Sequence, residues 1–186
     1  MMRRLPPPRR GRAGMTLVET LTAVLIVALL TAVIAAGVTA SLRIRAQSTF
    51  ASESRTVSDT VDSALSDVLR YAVDVETDGG GAVTAYTSAG YGVTDGRLCV
   101  GTGDEDRGMI YLNRGGAPGD VLLLSKPSYS GLRVVADTDD PDAGGGSDSF
   151  DLRYSGGVFS GSYRLYDPVG GLLSEPCEFS FRALNG

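Results

Sequence analysis

The composition of this 186-residue chain excludes several classes of protein before any motif is considered. It carries 22 acidic and 17 basic side chains, a net charge of −5, and an acidic surface repels the phosphates of nucleic acids. It contains no histidine, which is the usual general base and the commonest transition-metal ligand. We therefore expect no direct nucleic-acid binding and no enzymatic activity, and we nominate no catalytic residue.

Residues 1–14 form a basic segment without an acidic side chain. Three consecutive prolines, Pro6–Pro8, favour an extended chain that offers no apolar face to a core. We expect this segment to be a cytoplasmic leader. Its five arginines are Arg3, Arg4, Arg9, Arg10 and Arg12.

An uncharged run extends from Thr20 to Leu42, which is 42 − 20 + 1 = 23 residues. As a helix it is roughly 35 Å long, enough to cross a bilayer core of about 30 Å. Five arginines precede the run and two, Arg43 and Arg45, follow closely, so the positive-inside rule places the N-terminus inside and the C-terminus outside. We expect one pass through the cytoplasmic membrane. Glu19, at the start of the run, needs a partner from outside this helix.

Small side chains recur every four residues within the run. Close approach of two helices in lipid depends on such residues, because packing drives association there. The pattern fits either an alanine-rich anchor or a surface that packs against helices of other subunits, and the spacing favours the second. The residues are Ala28, Ala32, Ala36 and Ala40.

The residues ahead of the run match a known processing signal. From Gly14 to Glu19 the sequence reads GMTLVE, behind a basic leader and ahead of an apolar helix. Over about residues 9–45 it resembles the prepilin signal of type IV pilins and pseudopilins. Two features depart from the usual pattern, since Met15 stands where the family most often has phenylalanine and no proline occurs between Met15 and Leu42.

The resemblance implies a structural subunit with specific partners. A prepilin peptidase would cut after Gly14 and methylate the new N-terminus at Met15, and Glu19 would be the assembly glutamate at the fifth mature position. The mature chain would have 186 − 14 = 172 residues and a side-chain charge of −5 − 5 = −10. It would leave the membrane to join other pilin-like subunits, through the 15–42 helix, in an extracytoplasmic type IV pilus or a secretion or DNA-uptake pseudopilus.

An ordinary signal sequence is the alternative. Small residues at Val38 and Ala40 precede Ser41 in a way that suits signal peptidase, which would release a secreted or surface globular protein. The apolar run is longer than the h-region of such signals, about 7 to 15 residues. The pilin-like interpretation is therefore preferred.

Residues 43–78 keep a helical period but become polar. The apolar positions form one stripe suited to packing on a core, with polar residues on the opposite face. Three glycines, Gly79–Gly81, predict the end of this amphipathic helix near Glu76. The stripe consists of Val57, Val61, Ala64 or Leu65, Val68 and Ala72, and the residues predicted to face outward are Ser58, Asp59, Asp62, Ser66 and Asp67.

Two turns are predicted in residues 79–186, where the period changes to two. Asp95-Gly96 suggests a type I′ hairpin that pairs Val93 with Leu98 and Tyr91 with Val100. Gly156-Gly157 suggests a second hairpin. Its predicted pairs are Tyr154 with Phe159, Leu152 with Gly161 and Phe150 with Tyr163.

Further strands are predicted at residues 109–113, 121–125, 132–136 and 177–182. The expected fold is α+β, with one long N-terminal helix packed on a C-terminal antiparallel β-sheet. One half of that helix spans the membrane and the other half is amphipathic. The exported β-rich domain is expected over residues 79–186.

Cys99 and Cys177 are the only cysteines, and both lie in the domain expected outside, where disulfides persist. A bond between them would close a long loop and stabilise the domain by roughly 4 to 5 kcal/mol on the chain-entropy account. The residue pattern also allows two reduced thiols in the sheet. We predict the disulfide.

A glycine-rich acidic loop could supply oxygen ligands for calcium, but Asp142 stands where an EF-hand requires glycine. A solvated loop is therefore preferred and no cofactor is predicted. The acidic residues are Asp137, Asp139, Asp140, Asp142 and Asp148.

Overall fold

A computed structural model describes residues 16–113, 121–136 and 150–184 of the protein. The chain divides into two compact units, Met1–Arg45 and Ala46–Gly186. The long helix α1, Leu17–Leu69, begins in the first unit and continues into the second. The described strands all belong to the second unit. One long helix and antiparallel sheets confirm the predicted α+β class.

The described strands of the second unit pair in the antiparallel sense, and all but one of them are two to six residues long. Four of them occupy the ranges predicted at 109–113, 121–125, 132–136 and 177–182, the first three in shortened form. Short 3₁₀ helices lie at Ala89–Tyr91 and Lys126–Tyr129. The strands are β1 Val73–Thr77, β2 Val83–Ser88, β3 Val93–Gly96, β4 Cys99–Val100, β5 Ile110–Asn113, β6 Val121–Leu122, β7 Arg133–Ala136, β8 Leu152–Ser155, β9 Val158–Asp167, β10 Leu172–Leu173 and β11 Cys177–Arg182.

The largest sheet is organised around β9, its ten-residue central strand. One edge of β9 pairs first with β8 and then with β7, and the other edge pairs first with β11 and then with β10. Two smaller sheets, β1–β2–β3 and β4–β5–β6, complete the described β-structure. Strand β9 therefore pairs with four of the ten other strands that the structure describes and fixes their register.

Helix α1 ends at Leu69, about two turns before the end predicted near Glu76. Val73 and Val75 are β-branched and alternate with Asp74 and Glu76, and this segment forms β1 instead of continuing the helix. The glycines at 79–81 make the turn between β1 and β2.

The Asp78 side chain holds that turn together. Its Oδ1 accepts the backbone N–H groups of Ala82 at 2.9 Å and Gly80 at 2.8 Å. Both bonds lower the pKa of the Asp78 carboxyl, and the bond from Ala82 has the larger effect. Gly81 has φ +83°, a conformation that glycine adopts without strain. The three glycines thus end a strand rather than a helix.

The hairpin predicted at Gly156-Gly157 is confirmed. Tyr154 pairs with Phe159 and Leu152 pairs with Gly161, as predicted. Phe150 lies just before β8, and its ring centroid is 6.1 Å from that of Tyr163. The alternation of apolar side chains was sufficient to set this register.

The hairpin predicted at Asp95-Gly96 is wrong. Strand β3 runs through both residues and pairs with β2, with Gly96 opposite Tyr86. A Cβ on Gly96 would lie 2.1 Å from Val93 Cγ1 and 2.9 Å from the Leu112 carbonyl oxygen. Glycine is needed here for a close approach to the neighbouring strand β5.

The core of the second unit lies between the apolar stripe of α1 and the sheets. Val57, Val61, Leu65, Val68 and Ala72 are all buried, which confirms the predicted stripe and selects Leu65 over Ala64. The sheets and the 3₁₀ helix Lys126–Tyr129 contribute aromatic and aliphatic side chains to the same cluster. The largest of these that are fully buried are Tyr86, Tyr129, Phe159, Tyr163, Ile110, Leu112 and Leu165.

Candidate membrane and assembly segment

The beginning of α1 carries a side-chain cap. Thr16 precedes the helix, and its Oγ1 accepts the backbone N–H of Glu19 at 3.3 Å. This is the threonine half of a capping box, Thr-x-x-Glu, in which the hydroxyl satisfies one of the donors left open at a helix N-terminus. The Thr16-x-x-Glu19 pattern is present in the sequence, but a capping role was not predicted from it. Glu19 also lies in the first turn, where the helix dipole favours a negative charge.

Glu19 is exposed at this end of the helix. Among the residues that the structure describes, its carboxylate has no ion-pair or hydrogen-bond partner. A carboxylate next to an apolar run is costly in lipid unless it finds a partner. The other two predicted processing residues, Gly14 and Met15, lie outside the described residues.

Helix α1 is long and apolar enough to cross a membrane by length and composition. Its most apolar 18-residue window has a mean hydropathy of 2.7, and none of that window is buried within the chain. Large apolar side chains are exposed on every side, from Leu17 to Ile44. A surface of this kind requires lipid or other protein to cover it.

The hydroxyl groups within this segment are satisfied inside the helix. Those of Thr20, Thr22, Thr31 and Thr39 donate to backbone carbonyls three or four residues earlier, at 2.7 to 3.0 Å. Polar groups bonded in this way cost little in an apolar medium. The four threonines are therefore compatible with a membrane span.

The four alanines of the small-residue ridge are all exposed. Gly37 adds a notch between Ile34 and Leu42, since a Cβ placed there would meet nothing within 4 Å. The backbone of α1 can thus be approached closely along this stretch. Nothing in the described chain covers it.

Cys99 and Cys177 are not joined by a disulfide in the structure. Cys99 lies buried in β4 opposite Tyr111, whereas Cys177 is half-buried in β11 opposite Tyr163, so the two belong to different sheets. Each thiol donates to a carbonyl two residues earlier, at 3.6 Å to Arg97 and 3.8 Å to Glu175. The predicted bond is therefore absent from this structure, which has the arrangement of two reduced thiols.

The acidic loop considered for calcium, Asp137–Asp148, lies outside the described residues. Within the ranges that are described, no three Asp, Glu, His or Cys side chains come together in a group that could hold a metal ion.

A partly buried hydrogen bond joins α1 to the central strand. The Tyr163 hydroxyl, on a fully buried side chain, donates to Asp62 Oδ1 at 2.9 Å and lies 3.3 Å from the Ser58 carbonyl oxygen. The prediction that Asp62 faces outward was wrong, because its half-buried carboxylate turns toward Tyr163. Partial burial raises the pKa of Asp62, the Tyr163 hydrogen bond opposes this, and the nearby charge of Asp59 adds to it.

Replacement of Asp62 by asparagine tests this hydrogen bond between α1 and β9. The raised pKa means that the folded state holds the proton of the Asp62 carboxyl more tightly than the unfolded state does. The contribution of Asp62 to the free energy of unfolding is therefore complete below pH 3.8 and is lost as the pH rises through the folded pKa. Asp62→Asn keeps an acceptor for Tyr163 and avoids that loss. We expect it to be more stable than wild type at neutral pH, by less than about 1 kcal/mol because the carboxylate is half exposed.

Urea unfolding at pH 3 and pH 7 measures the effect, and the two proteins should converge at the acidic pH. Asp67→Asn, on the exposed face of the same helix, is the control and should change stability by less than about 0.5 kcal/mol. An Asp62→Asn variant less stable than wild type at pH 7 would contradict the assigned sign.

Comparisons of this chain with protein-family models, with curated proteins and with solved structures find no match.

Proposed function

We propose that this protein is a pilin-like structural subunit, a minor pilin or pseudopilin. It is synthesised with a basic leader, inserted into the cytoplasmic membrane with its C-terminus outside, and cut after Gly14 by a prepilin peptidase. It then assembles with other pilin-like subunits through the helix of residues 15–42. The product is a type IV pilus or a secretion or DNA-uptake pseudopilus.

The observation that carries this proposal is an exposed apolar helix with a lone carboxylate in its first turn. The 18-residue window of highest hydropathy makes no buried contact within the chain, and Glu19 has no partner among the described residues. A simple anchor needs the apolar surface but not the charge. A subunit that must be aligned with its neighbours has a use for both.

Exchange between membrane and filament is energetically plausible for such a helix. Lipid tails are as apolar as the side chains of a neighbouring helix, so leaving lipid for a bundle of similar helices loses little. Packing along the ridge at Ala28–Ala40 and one ion pair can then favour the filament over the membrane. In this proposal Glu19 neutralises the methylated amino group of Met15 in an adjacent subunit and so sets the register.

The second unit fits the same role. The apolar stripe of α1 is bound to a β-rich domain through the core and through the Tyr163 hydrogen bond. A domain fixed to the helix in this way would be carried into the filament with it. We assign the protein no catalytic activity and no nucleic-acid binding.

A secreted protein with an ordinary signal sequence is the competing function. It would require cleavage before Ser41, inside a helix that continues without interruption to Leu69. Mass spectrometry of the first peptide of the exported protein tests the proposal, because the two processing sites leave different first residues.

A further inference from the structure

Strand β11 forms an open edge of the largest sheet. It pairs with β9 on one side, and no strand that the structure describes pairs with its other side. Such an edge presents unpaired N–H and C=O groups to any extended chain that approaches it, and charged side chains commonly protect it from pairing. Strand β11 carries two of them, Glu178 and Arg182. Because their charges are opposite, they repel some strands and attract others.

The backbone of β11 presents alternate residues to this open edge. The N–H of Ala183 donates to the Gly157 carbonyl, next to the start of β9, at 2.9 Å. Backbone groups alternate in direction along a strand, so those of Glu178, Ser180 and Arg182 point away from β9. None of these groups has a hydrogen-bond partner in the described part of the chain. Three alternate residues can thus pair with a further strand.

The charges of Glu178 and Arg182 are not compensated within the described part of the sheet. Both side chains are exposed, and neither has an ion-pair partner among the residues that the structure describes. Their neighbours across β9, Ser162 and Val158, are uncharged. Four residues of strand hold the two charges about 13 Å apart, too far to pair with each other. Both charges are therefore available to a partner.

We propose that β11 pairs with β11 of a second copy of this chain, antiparallel and centred on Ser180. In this register Glu178 lies opposite Arg182 of the second copy, and the two-fold symmetry repeats the pair. Opposite charges directly across an antiparallel pair stabilise it. The outward backbone groups of the two strands also face each other, as the hydrogen-bonded ladder requires.

The charges select this register over its neighbours. A shift of two residues removes both direct ion pairs, and a shift of four places Glu178 opposite Glu178 of the other copy, or Arg182 opposite Arg182. Parallel pairing in register also brings like charges side by side. Like charges directly opposite each other are destabilising. Antiparallel pairing centred on Ser180 thus satisfies the backbone and the charges together.

The other face of β11 contributes an aromatic contact. Phe181 is half-buried and stacks on the buried ring of Phe179, with 5.3 Å between the ring centroids. In the proposed dimer Phe181 lies opposite Phe179 of the second copy, and aromatic pairs across strands are favourable. Pairing therefore covers part of the ring that a single copy leaves exposed.

This contact is separate from the proposed function. It uses the same strand on both copies, so it closes on two chains and does not extend into a filament. It requires neither processing after Gly14 nor assembly through residues 15–42. The mass of the first peptide of the exported protein tests that function independently.

Disulfide formation in the detergent-solubilised full chain tests the pairing. Ser180→Cys places two thiols on residues whose Cα atoms are about 5.5 Å apart across the two-fold axis, within the range that a disulfide bridges. Ser155→Cys is the matched control, since Ser155 is also exposed but lies on β8, five strand spacings or about 24 Å from its counterpart in the dimer. Each variant is equilibrated at low concentration in a glutathione redox buffer. Wild type gives the background from Cys99 and Cys177.

We expect Ser180→Cys to form a disulfide-linked dimer that wild type and Ser155→Cys do not form. Glu178→Arg added to Ser180→Cys should lower the yield of dimer about tenfold, because both ion pairs become contacts between like charges. Adding Arg182→Glu as well restores opposite charges across the axis, and the yield should recover.

A yield from Ser180→Cys no higher than that from Ser155→Cys would overturn the proposal. A dimer that is insensitive to Glu178→Arg would also overturn it, because the contact would then come from the apolar segment of α1. A loss that Arg182→Glu does not reverse would exclude the antiparallel register centred on Ser180.

Discussion

Glu19→Val is expected to remain in the membrane and to be processed, yet to be lost from filaments. A carboxylate at the end of an apolar helix is costly unless it is paired. Its replacement by valine favours insertion, so a simple anchor would tolerate the change. A subunit aligned through the charge would lose a close ion pair in a medium of low dielectric, which costs about 3 to 5 kcal/mol. We expect near-complete loss from sheared filaments.

Two further variants separate the charge of Glu19 from its place in the helix. Glu19→Gln removes the charge but keeps a side chain that suits the third position of a capping box. Thr16→Ala removes the capping hydroxyl, which costs about 1 kcal/mol of helix stability, but keeps the charge. We expect Glu19→Gln to fail in assembly like Glu19→Val, and Thr16→Ala to assemble.

Quantification of each variant among the subunits that co-isolate with sheared filaments gives the result. Recovery of Glu19→Val at the wild-type level would remove this residue from assembly and leave residues 15–42 as an anchor. Failure of Thr16→Ala together with assembly of Glu19→Gln would assign the defect to the helix start rather than to the charge.

Leu65→Ala is expected to have the largest effect on stability. Leu65 is fully buried at the centre of the α1 stripe, between Val61 and Val68. Truncation of a buried leucine to alanine costs about 2 to 5 kcal/mol, because apolar contacts are lost and a cavity remains. That is a large share of the roughly 5 to 15 kcal/mol by which a domain is usually stable.

Urea unfolding of the detergent-solubilised protein, followed by the near-ultraviolet circular dichroism of its buried tyrosines, measures the loss. Ser63→Ala, on the exposed face of the same helix, is the matched control and should change stability by less than about 0.5 kcal/mol. If both variants unfold at the same urea concentration, the stripe does not pack on the sheets as described.

Patterns that repeat along the chain predicted much of this fold. The stripe from Val57 to Ala72 was correct because burial on one helix face imposes the 3.6-residue period on many positions at once. The hairpin at Gly156-Gly157 was correct because several paired side chains and a turn agree on one register. The apolar segment was visible because length and hydropathy alone define it.

Other features depend on contacts between distant parts of the chain. The pair Asp95-Gly96 has the composition of a hairpin turn, but the choice of glycine at 96 depends on the Leu112 carbonyl. Likewise, helical spacing predicts Asp62 on the solvent side. The fold brings Tyr163, 101 residues away in the sequence, next to Asp62, and the hydrogen bond between them turns the Asp62 carboxylate inward. The end of α1 was predicted too late because pairing of β1 with β2 overrides the local helical pattern.

The mass of the N-terminal peptide of the exported protein tests the central claim most directly. We predict a first residue of Met15 that carries one N-methyl group, which requires cleavage after Gly14 and retention of the whole apolar segment. A first residue of Ser41 would contradict it, because the segment would then be a discarded signal sequence and no assembly helix would remain.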